Sequence, residues 1–346
     1  MAQLEKIDLK DLSLPELGSL VGSLGKERYR TPQLLKWLYS VGVQSFDEMT
    51  NLSRKFREEL NQISFISELL PLRIEQARDG TKKFLFQLDD GNRIESVLIP
   101  EKARLTLCVS TQVGCAMGCR FCLTGRKGLK RNLTSSEILN QILAARRTLA
   151  QEVTITNIVL MGMGEPLANY ENTLKALSVM AYPDAFKFSS RRITLSTVGL
   201  LPELERLARE EITFQLAISL NAASDETRSR IMPINHRYPL KNLLAFCRRF
   251  PLKPRTRITF EYVLMEGVND SLKDAKELVK ILRGIPSKVN LIPLNEAPAI
   301  PFKRPSEEKI RRFQEILMES GLTAIVRASK GSEISAACGQ LEAKAT

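Results

Sequence analysis

Four of the six cysteines of this chain fall between residues 108 and 122, and three of them are spaced Cys115-Ala-Met-Gly-Cys119-Arg-Phe-Cys122. Thiols crowded in this way point to metal binding or redox chemistry in a reducing compartment, not to a disulfide framework. Three thiolates at such spacing leave one corner of a cubane iron–sulfur cluster without a protein ligand, and an open iron can bind a substrate. Structural zinc generally takes four ligands, in two C-x-x-C pairs or with histidine partners. Here there is one C-x-x-C and one distant histidine, His236. Plant-type [2Fe–2S] spacing is one residue longer in its first gap. The reading is an iron–sulfur cluster on Cys115, Cys119 and Cys122, with zinc as the competitor.

The elements that must hold this loop follow from periodicity. Residues 1 to about 70 look helical: Thr31-Pro32 opens a segment with Leu34, Trp37, Leu38 and Val41 on one face, and Ser45-Phe-Asp-Glu48 is a capping box ahead of Met49, Leu52, Phe56 and Leu60. Three strand-like runs near 71–78, 82–88 and 93–99 are separated by the turn signals Asp79-Gly80 and Asp90-Gly91. From about 103, six strand-like runs alternate with helical patterns: Leu105 to Ser110, Asn157 to Met163, Arg192 to Thr197, Phe214 to Leu220, Arg257 to Leu264 and Val289 to Leu294. The helices fall near 135–150, 171–181, 201–211, 240–249, 272–283 and 306–320. Six β-then-α units imply a parallel sheet curled into an open, partial barrel. The expected fold class is therefore α/β, a partial (β/α)6 barrel with a small N-terminal helical domain and a short β-meander linker. The divisions are 1–70, 71–102, 103–330 and a tail, 331–346, preceded by a last short run from Thr323 to Arg327.

Ligands in such sheets bind at the carboxyl ends of the strands, and the cysteine loop follows the first barrel strand. The later strands end in Met161-Gly-Met-Gly164-Glu165-Pro166, Leu195-Ser196-Thr197-Val-Gly199, Ser219-Leu220-Asn221 and Asn290-Leu-Ile-Pro-Leu-Asn295. Ser and Asn there commonly cap the next helix, but together these ends converge on one site. Glu165 could accept from an ammonium, and the glycines let backbone approach a ligand.

C-x-x-x-C-x-x-C after the first strand of a partial barrel resembles the radical S-adenosylmethionine (SAM) superfamily over about residues 100–330. The resemblance implies a [4Fe–4S] cluster whose open iron chelates SAM, and cleavage of SAM to a 5′-deoxyadenosyl radical. It narrows to the RlmN family of RNA methyltransferases, with its relative Cfr. The segments carrying it are Cys108-Val-Ser-Thr-Gln-Val-Gly-Cys115, Gly128-Leu-Lys-Arg-Asn-Leu133, Met161 to Leu167, Leu195 to Gly199, Met232-Pro-Ile-Asn235, Asn290 to Asn295 and Ala336-Ala-Cys-Gly-Gln340. The N-terminal unit resembles the family's RNA-binding accessory domain.

The resemblance implies methylation of adenine carbon 2 in 23S rRNA, and in tRNA beside the anticodon, using two SAM per turnover. Carbon 2 is not nucleophilic, so a carbon radical must be delivered to it. Cys338 takes a methyl from one SAM; the radical from a second SAM abstracts hydrogen from that S-methyl group, and the methylene radical adds to the base. Cys108 resembles the cysteine that resolves the covalent protein–RNA adduct by bonding to the Cys338 sulfur. Glu95 matches the position assigned to removing the ring proton, with Cys108 a contender. Gly164, Glu165, Ser196, Ser219, Leu220, Asn221 and Asn295 match SAM-binding positions, although the family often has His where this chain has Asn221. Cys247 and His236 read as structural. The rivals are Cfr-type carbon-8 methylation, a zinc-bearing RNA-binding protein without catalysis, and a radical SAM enzyme acting on protein or a small molecule.

A net charge of +12 suits an anionic partner. Lys127, Lys130, Arg131, Arg191 and Arg192 are expected beside the active face, holding RNA phosphates. The start, Met1-Ala-Gln-Leu-Glu-Lys, lacks the apolar stretch of a secretion signal, and no run approaches the roughly 18 apolar residues of a membrane span. A cytoplasmic monomer, reduced by flavodoxin or ferredoxin, is the expectation.

Overall fold

The structure, a computed structural model, describes residues 6–211 and 214–343. Residues 1–5, on which the reading of the chain start rests, and 344–346 of the tail lie outside the described residues.

The N-terminal unit pairs β1 (Ile7–Asp8) with β2 (Ser64–Phe65) and packs α1 (Leu14–Ser23), α2 (Arg30–Leu35) and α3 (Arg54–Ile63) between them. The capping box at Ser45 and Glu48 forms, but it opens only a 3-10 turn, Phe46–Glu48; α3 starts from its own cap, Ser53. After α2 the chain widens into a π-turn, Lys36–Val41, which ends at Gly42 in the left-handed region, φ 82°. The wider turn rotates the expected apolar face. Leu34 and Leu38 are buried, but Val41 is 53% exposed. Lys10 crosses to the main domain, its buried ammonium donating to the Ser67 carbonyl (2.7 Å) and to Asn140 Oδ1 (2.9 Å).

The remaining elements run β3 (Pro71–Gln76), β4 (Lys82–Gln87), β5 (Arg93–Glu101), β6 (Arg104–Cys108), β7 (Gln112–Cys115), α4 (Leu123–Arg126), β8 (Gly128–Asn132), α5 (Ser135–Arg147) and β9 (Asn157–Leu160). Then come α6 (Tyr170–Ala181), β10 (Ile193–Thr197), α7 (Leu201–Leu207), β11 (Gln215–Ser219), α8 (Asp225–Ile231), α9 (Leu240–Arg249), β12 (Ile258–Leu264), α10 (Leu272–Leu282), β13 (Ser287–Pro293), α11 (Glu307–Glu319) and β14 (Thr323–Val326). One ten-stranded sheet has the order β14-β13-β12-β11-β10-β9-β6-β5-β4-β3. From β6 to β14 every neighbour is parallel, and β5, β4 and β3 continue the sheet antiparallel from β6. The open α/β barrel expected from the sequence is present, with two differences. The run at Thr323 is a seventh parallel strand, and the meander is not a separate linker but the edge of the barrel sheet. Both come from strand pairing, which local periodicity does not encode.

Alternation assigns the two faces of the wall. Tyr262 of β12 turns outward to α11, its ring 5.4 Å from that of Phe313, so Glu261 next to it points into the barrel. On β5 and β6, Val97 pairs with Cys108. Glu95, two residues earlier on the same face, therefore looks to the same side as Cys108. Ser96 faces the other way, donating to Gln141 of α5 at 2.6 Å.

Candidate active site

The sequence places the cysteines in a loop after β6; the structure adds a framework to it. Cys115 is the last residue of β7, which pairs with β8 in a two-stranded hairpin. Gly114 makes this possible: its φ is +79°, and a Cβ there would lie 2.0 Å from the Gly128 carbonyl oxygen. Cys115 and Cys119 are each 8% exposed and Cys122 is half-buried. Burial pushes the Cys115 thiol up to about 12 and raises Cys119 and Cys122 as well. Charge on Cys122 and Cys115 raises Cys119 further, so the three sulfurs share one electrostatic neighbourhood. Backbone N–H groups soften the penalty, Met117 at Cys115 and Gly125 and Thr124 at Cys122. Among the described residues no three His, Cys, Asp or Glu side chains are placed to hold a metal ion. Three thiols on one loop, with N–H donors aimed at two of them, fit a cluster in donor chemistry.

The strand ends gather around this loop. Gly164 has φ +103°, and a Cβ there would come 2.6 Å from the Gln112 Cβ. Glu165 is 2% exposed. Burial raises its carboxyl to about 7, against hydrogen bonds from Thr197, Val198 and Leu167. The Val198 N–H donates to Oε2 (2.9 Å) and the Leu167 N–H to Oε1 (3.1 Å), so the side chain braces two strand ends. Ser196 and Ser219 are half-buried on the inner wall and Leu220 is buried. Asn221 sits at φ +58°, a region Asn tolerates. Its Oδ1 accepts the Val263 N–H at 2.8 Å and its Nδ2 meets the Met232 sulfur at 3.3 Å. The fold uses its backbone as well, the N–H donating to the Glu261 carbonyl at 3.3 Å and the carbonyl accepting from Asn269 Nδ2 at 2.8 Å.

The tail carrying Cys338 is fastened across the same face. The Leu123 N–H donates to the Gly339 carbonyl (2.8 Å), Thr124 Oγ1 to the Leu341 carbonyl (2.6 Å) and Gln340 Nε2 to the Glu296 carbonyl (2.9 Å). Asn295 donates to the Cys338 carbonyl at 3.1 Å and accepts from Ser329 at 2.5 Å. Glu95, 5% exposed, accepts the Glu342 and Ala343 N–H groups through Oε2, and Lys83 lies 3.4 Å from its Oε1. Two residues expected at ligands thus also hold the tail.

Cys338 itself is exposed. Desolvation by surrounding protein, then the negative field of Glu261, still pushes its thiol up to about 11, with Cys122 adding to the shift. Cys108 is buried, and desolvation followed by the Cys338 thiol raises it further. The structure thus brings Cys338, Cys108 and the cysteine loop together. Glu261, missed in the sequence, is buried near Cys338, with a carboxyl raised to about 7 by burial and bonded by Asn290 Nδ2 at 2.9 Å. A lone glutamate inside the apolar run Ile258 to Leu264 was the available signal.

The basic residues separate. Lys127 holds the tail, donating to the Glu342 carbonyl at 2.6 Å and pairing with its carboxylate at 3.4 Å. Lys130 is exposed on β8 of the hairpin and donates to Asn92 Oδ1 at 3.1 Å. Arg131 is spent on carboxylates: both Glu137 oxygens at 2.8 Å and Asp90 at 2.5 Å. Arg191 and Arg192 do not lie beside the cysteines, a correction to the expectation. They immediately precede β10, and Arg192 bonds Asn157, the first residue of β9, at 3.0 Å. Both strands begin there, so the pair sits at the end of the sheet opposite the cysteine loop.

Comparison with known proteins agrees with this architecture. Residues 7–66 match the family described as ribosomal RNA large subunit methyltransferase N-terminal domain, and residues 109–279 match the radical SAM superfamily. The chain is 56% identical to the dual-specificity RNA methyltransferase RlmN of Geobacter sulfurreducens, covering 98% of this chain and 92% of that one. It is 53% identical to the protein of the same name from Geotalea uraniireducens, covering 99% and 98%. A crystal structure of a radical SAM methyltransferase from Sphaerobacter thermophilus superposes with a TM-score of 0.91 at 48% identity, over 98% of this chain and 100% of that one. The accessory unit, the cysteine loop on its hairpin and the tail thiol all belong to one pattern, and the chain is a member of the RlmN family of radical SAM RNA methyltransferases.

Proposed function

We propose that this protein methylates carbon 2 of an adenosine in 23S rRNA, and of the adenosine beside the anticodon in tRNA, through S-methylated Cys338. The observation that carries the reading is a tail cysteine fastened over the barrel mouth next to Cys108 and the cysteine loop. The family works with a [4Fe–4S] cluster and SAM. Cys115, Cys119 and Cys122 would hold the cluster, which supplies when bound the electron that opens SAM to a 5′-deoxyadenosyl radical.

The chain's own residues do the rest. Gly164 lets the strand end pack directly on Gln112, and Glu165 braces it against Val198. Ser196, Ser219, Leu220, Asn221 and Asn295 would line the SAM site. Cys338 accepts the methyl group and delivers it as a one-carbon unit; Cys108 bonds to the Cys338 sulfur to release the product. Glu95 removes the ring proton in this reading. Its Oε2 is occupied by two tail N–H groups, so the tail end must lift when Glu95 acts, and Cys108 is the alternative base while it stays down. Lys130 would meet RNA phosphate. The protein would work as a cytoplasmic monomer drawing electrons from a flavodoxin or ferredoxin; no helix among the described residues is long and apolar enough to cross a membrane.

The test is anaerobic reconstitution, incubation with reductant, SAM and unmodified 23S rRNA or tRNA, and mass spectrometry of the nucleosides. 2-Methyladenosine is expected. 8-Methyladenosine would overturn the choice of carbon, and a SAM-cleaving protein that methylates neither RNA would overturn the substrate.

A further inference from the structure

Arg228 of α8 is 0% exposed. Its Nε donates to the Leu220 carbonyl (3.0 Å), Nη2 to the carbonyls of Val198 (2.7 Å) and Ser219 (3.3 Å), and Nη1 to Asn235 Oδ1 (3.0 Å). Every one of these acceptors is an uncharged oxygen, and among the described residues no carboxylate stands within ion-pair distance of the guanidinium. A cation buried among dipoles alone is costly unless an anion stands close by. Asp225, one turn earlier, is exposed, and its Oδ1 already serves Leu240 N–H and Asn235 Nδ2.

The helix carrying Arg228 packs on the cysteine loop. The Arg120 N–H donates to the Ile231 carbonyl at 3.0 Å, and Cys119 shares an apolar cluster with Ile231 and Met232. Burial lowers Arg228 to about 10, still a cation at neutral pH, and Cys119 is the foremost influence in the other direction.

We propose that Arg228 is the counter-charge of the iron–sulfur cluster, a positioning residue whose buried guanidinium, on the helix packed against the loop that carries Cys119, makes the bound cluster easier to reduce. Reduction adds negative charge in a low-dielectric site, so a fixed cation stabilises the reduced form more than the oxidised one. The same side chain ties together the ends of β10 and β11 through the Val198, Ser219 and Leu220 carbonyls. It thereby links the loop that would hold the cluster to the strand ends that would hold SAM. The proposal rests on Cys115, Cys119 and Cys122 being the cluster ligands.

The experiment is an EPR-monitored redox titration of the full-length reconstituted protein without RNA, with iron and sulfide counted in each sample. Arg228→Gln is expected to move the midpoint potential to a more negative value at wild-type iron content, and Arg228→Lys to leave it near wild type. An unmoved potential in Arg228→Gln would reduce Arg228 to a brace for the strand ends. If Arg228→Gln folds poorly or takes up no cluster, Arg228→Lys decides: a full cluster at wild-type potential supports the counter-charge, and a full or partial cluster at lowered potential, or no cluster, overturns it. Failure of the ligand assignment is separate, since Cys119→Ala would then keep the wild-type iron and sulfide content.

Discussion

Glu95 accepts the backbone N–H of Ala343 at 3.0 Å, so a carboxylate on the meander edge of the sheet anchors the chain just past Cys338. The same oxygen takes the Glu342 N–H at 2.8 Å. A residue read from the sequence as a proton acceptor is, in this state, a latch.

Replacing Glu95 by alanine should free that end of the tail. Hydrogen exchange is expected to speed up at Glu342 and Ala343 while the barrel strands keep their protection. The loss also strips Lys83 of one of two carboxylate partners, Glu75 at 3.0 Å remaining, for a cost on the order of 1–3 kcal/mol. Unchanged exchange in the tail would show that Thr124, Gln340 and Leu123 hold it without help.

Gly164→Ala should block the second strand end. The added methyl meets Gln112 and the residue must keep φ at +103°, so roughly 1–3 kcal/mol of strain is expected. The Gln112 side chain accepts the Glu165 N–H at 2.8 Å, so the disturbance passes straight to the brace. Equilibrium dialysis on reconstituted protein should show SAM binding weakened at least roughly tenfold, about 1.4 kcal/mol; wild-type affinity would remove this turn from the site.

Glu261 gives a pH dependence with a definite sign. Burial raises its carboxyl from 4.5 to about 7, opposed by Asn290, Arg327 and Lys288. The folded state holds the proton more tightly than the unfolded one, so the stability associated with it is full below pH 4.5, declines as pH rises to about 7 and is flat above. The integrated loss is about 3 kcal/mol as an order of magnitude. Glu261→Gln, which keeps an oxygen for Asn290, should gain on wild type across that window in urea melts. Parallel stability curves would contradict it.

The hairpin bases should divide by role. Lys130→Glu is expected to weaken RNA binding and to lower the salt slope by about one. Arg131→Ala should leave the slope alone and cost about 1 kcal/mol, because Arg131 joins the hairpin to Asp90 in the β4–β5 turn and to Glu137 in the first turn of α5. Filter binding across a salt series, beside thermal melts, separates the two. A lowered slope in Arg131→Ala would restore it to the RNA surface.

That Cys115, Cys119 and Cys122 come together in one loop was legible because their spacing is local, and so were the strands and helices with strong periodicity. The hairpin of β7 and β8 was not, since Gln112-Val-Gly-Cys115 and Gly128 to Asn132 show no apolar alternation. Helix α8, short and polar as Asp-Glu-Thr-Arg-Ser-Arg-Ile, gave no amphipathic stripe. The latches from Glu95, Lys127 and Asn295 to the tail join segments far apart in the chain, which only tertiary structure brings together. The misplacement of Arg191 and Arg192 was avoidable: residues that precede a parallel strand sit at its amino end.

The pairing of Val97 with Cys108 also limits how this gene can drift. Glu95 and Cys108 face the site together because one hydrogen-bond ladder sets both, and a one-residue slip would turn one of them to the opposite face. The turn between β5 and β6 can therefore absorb substitutions, but a single-codon insertion or deletion there would separate the two groups. Length changes in this stretch should survive selection only where a compensating bulge restores the register.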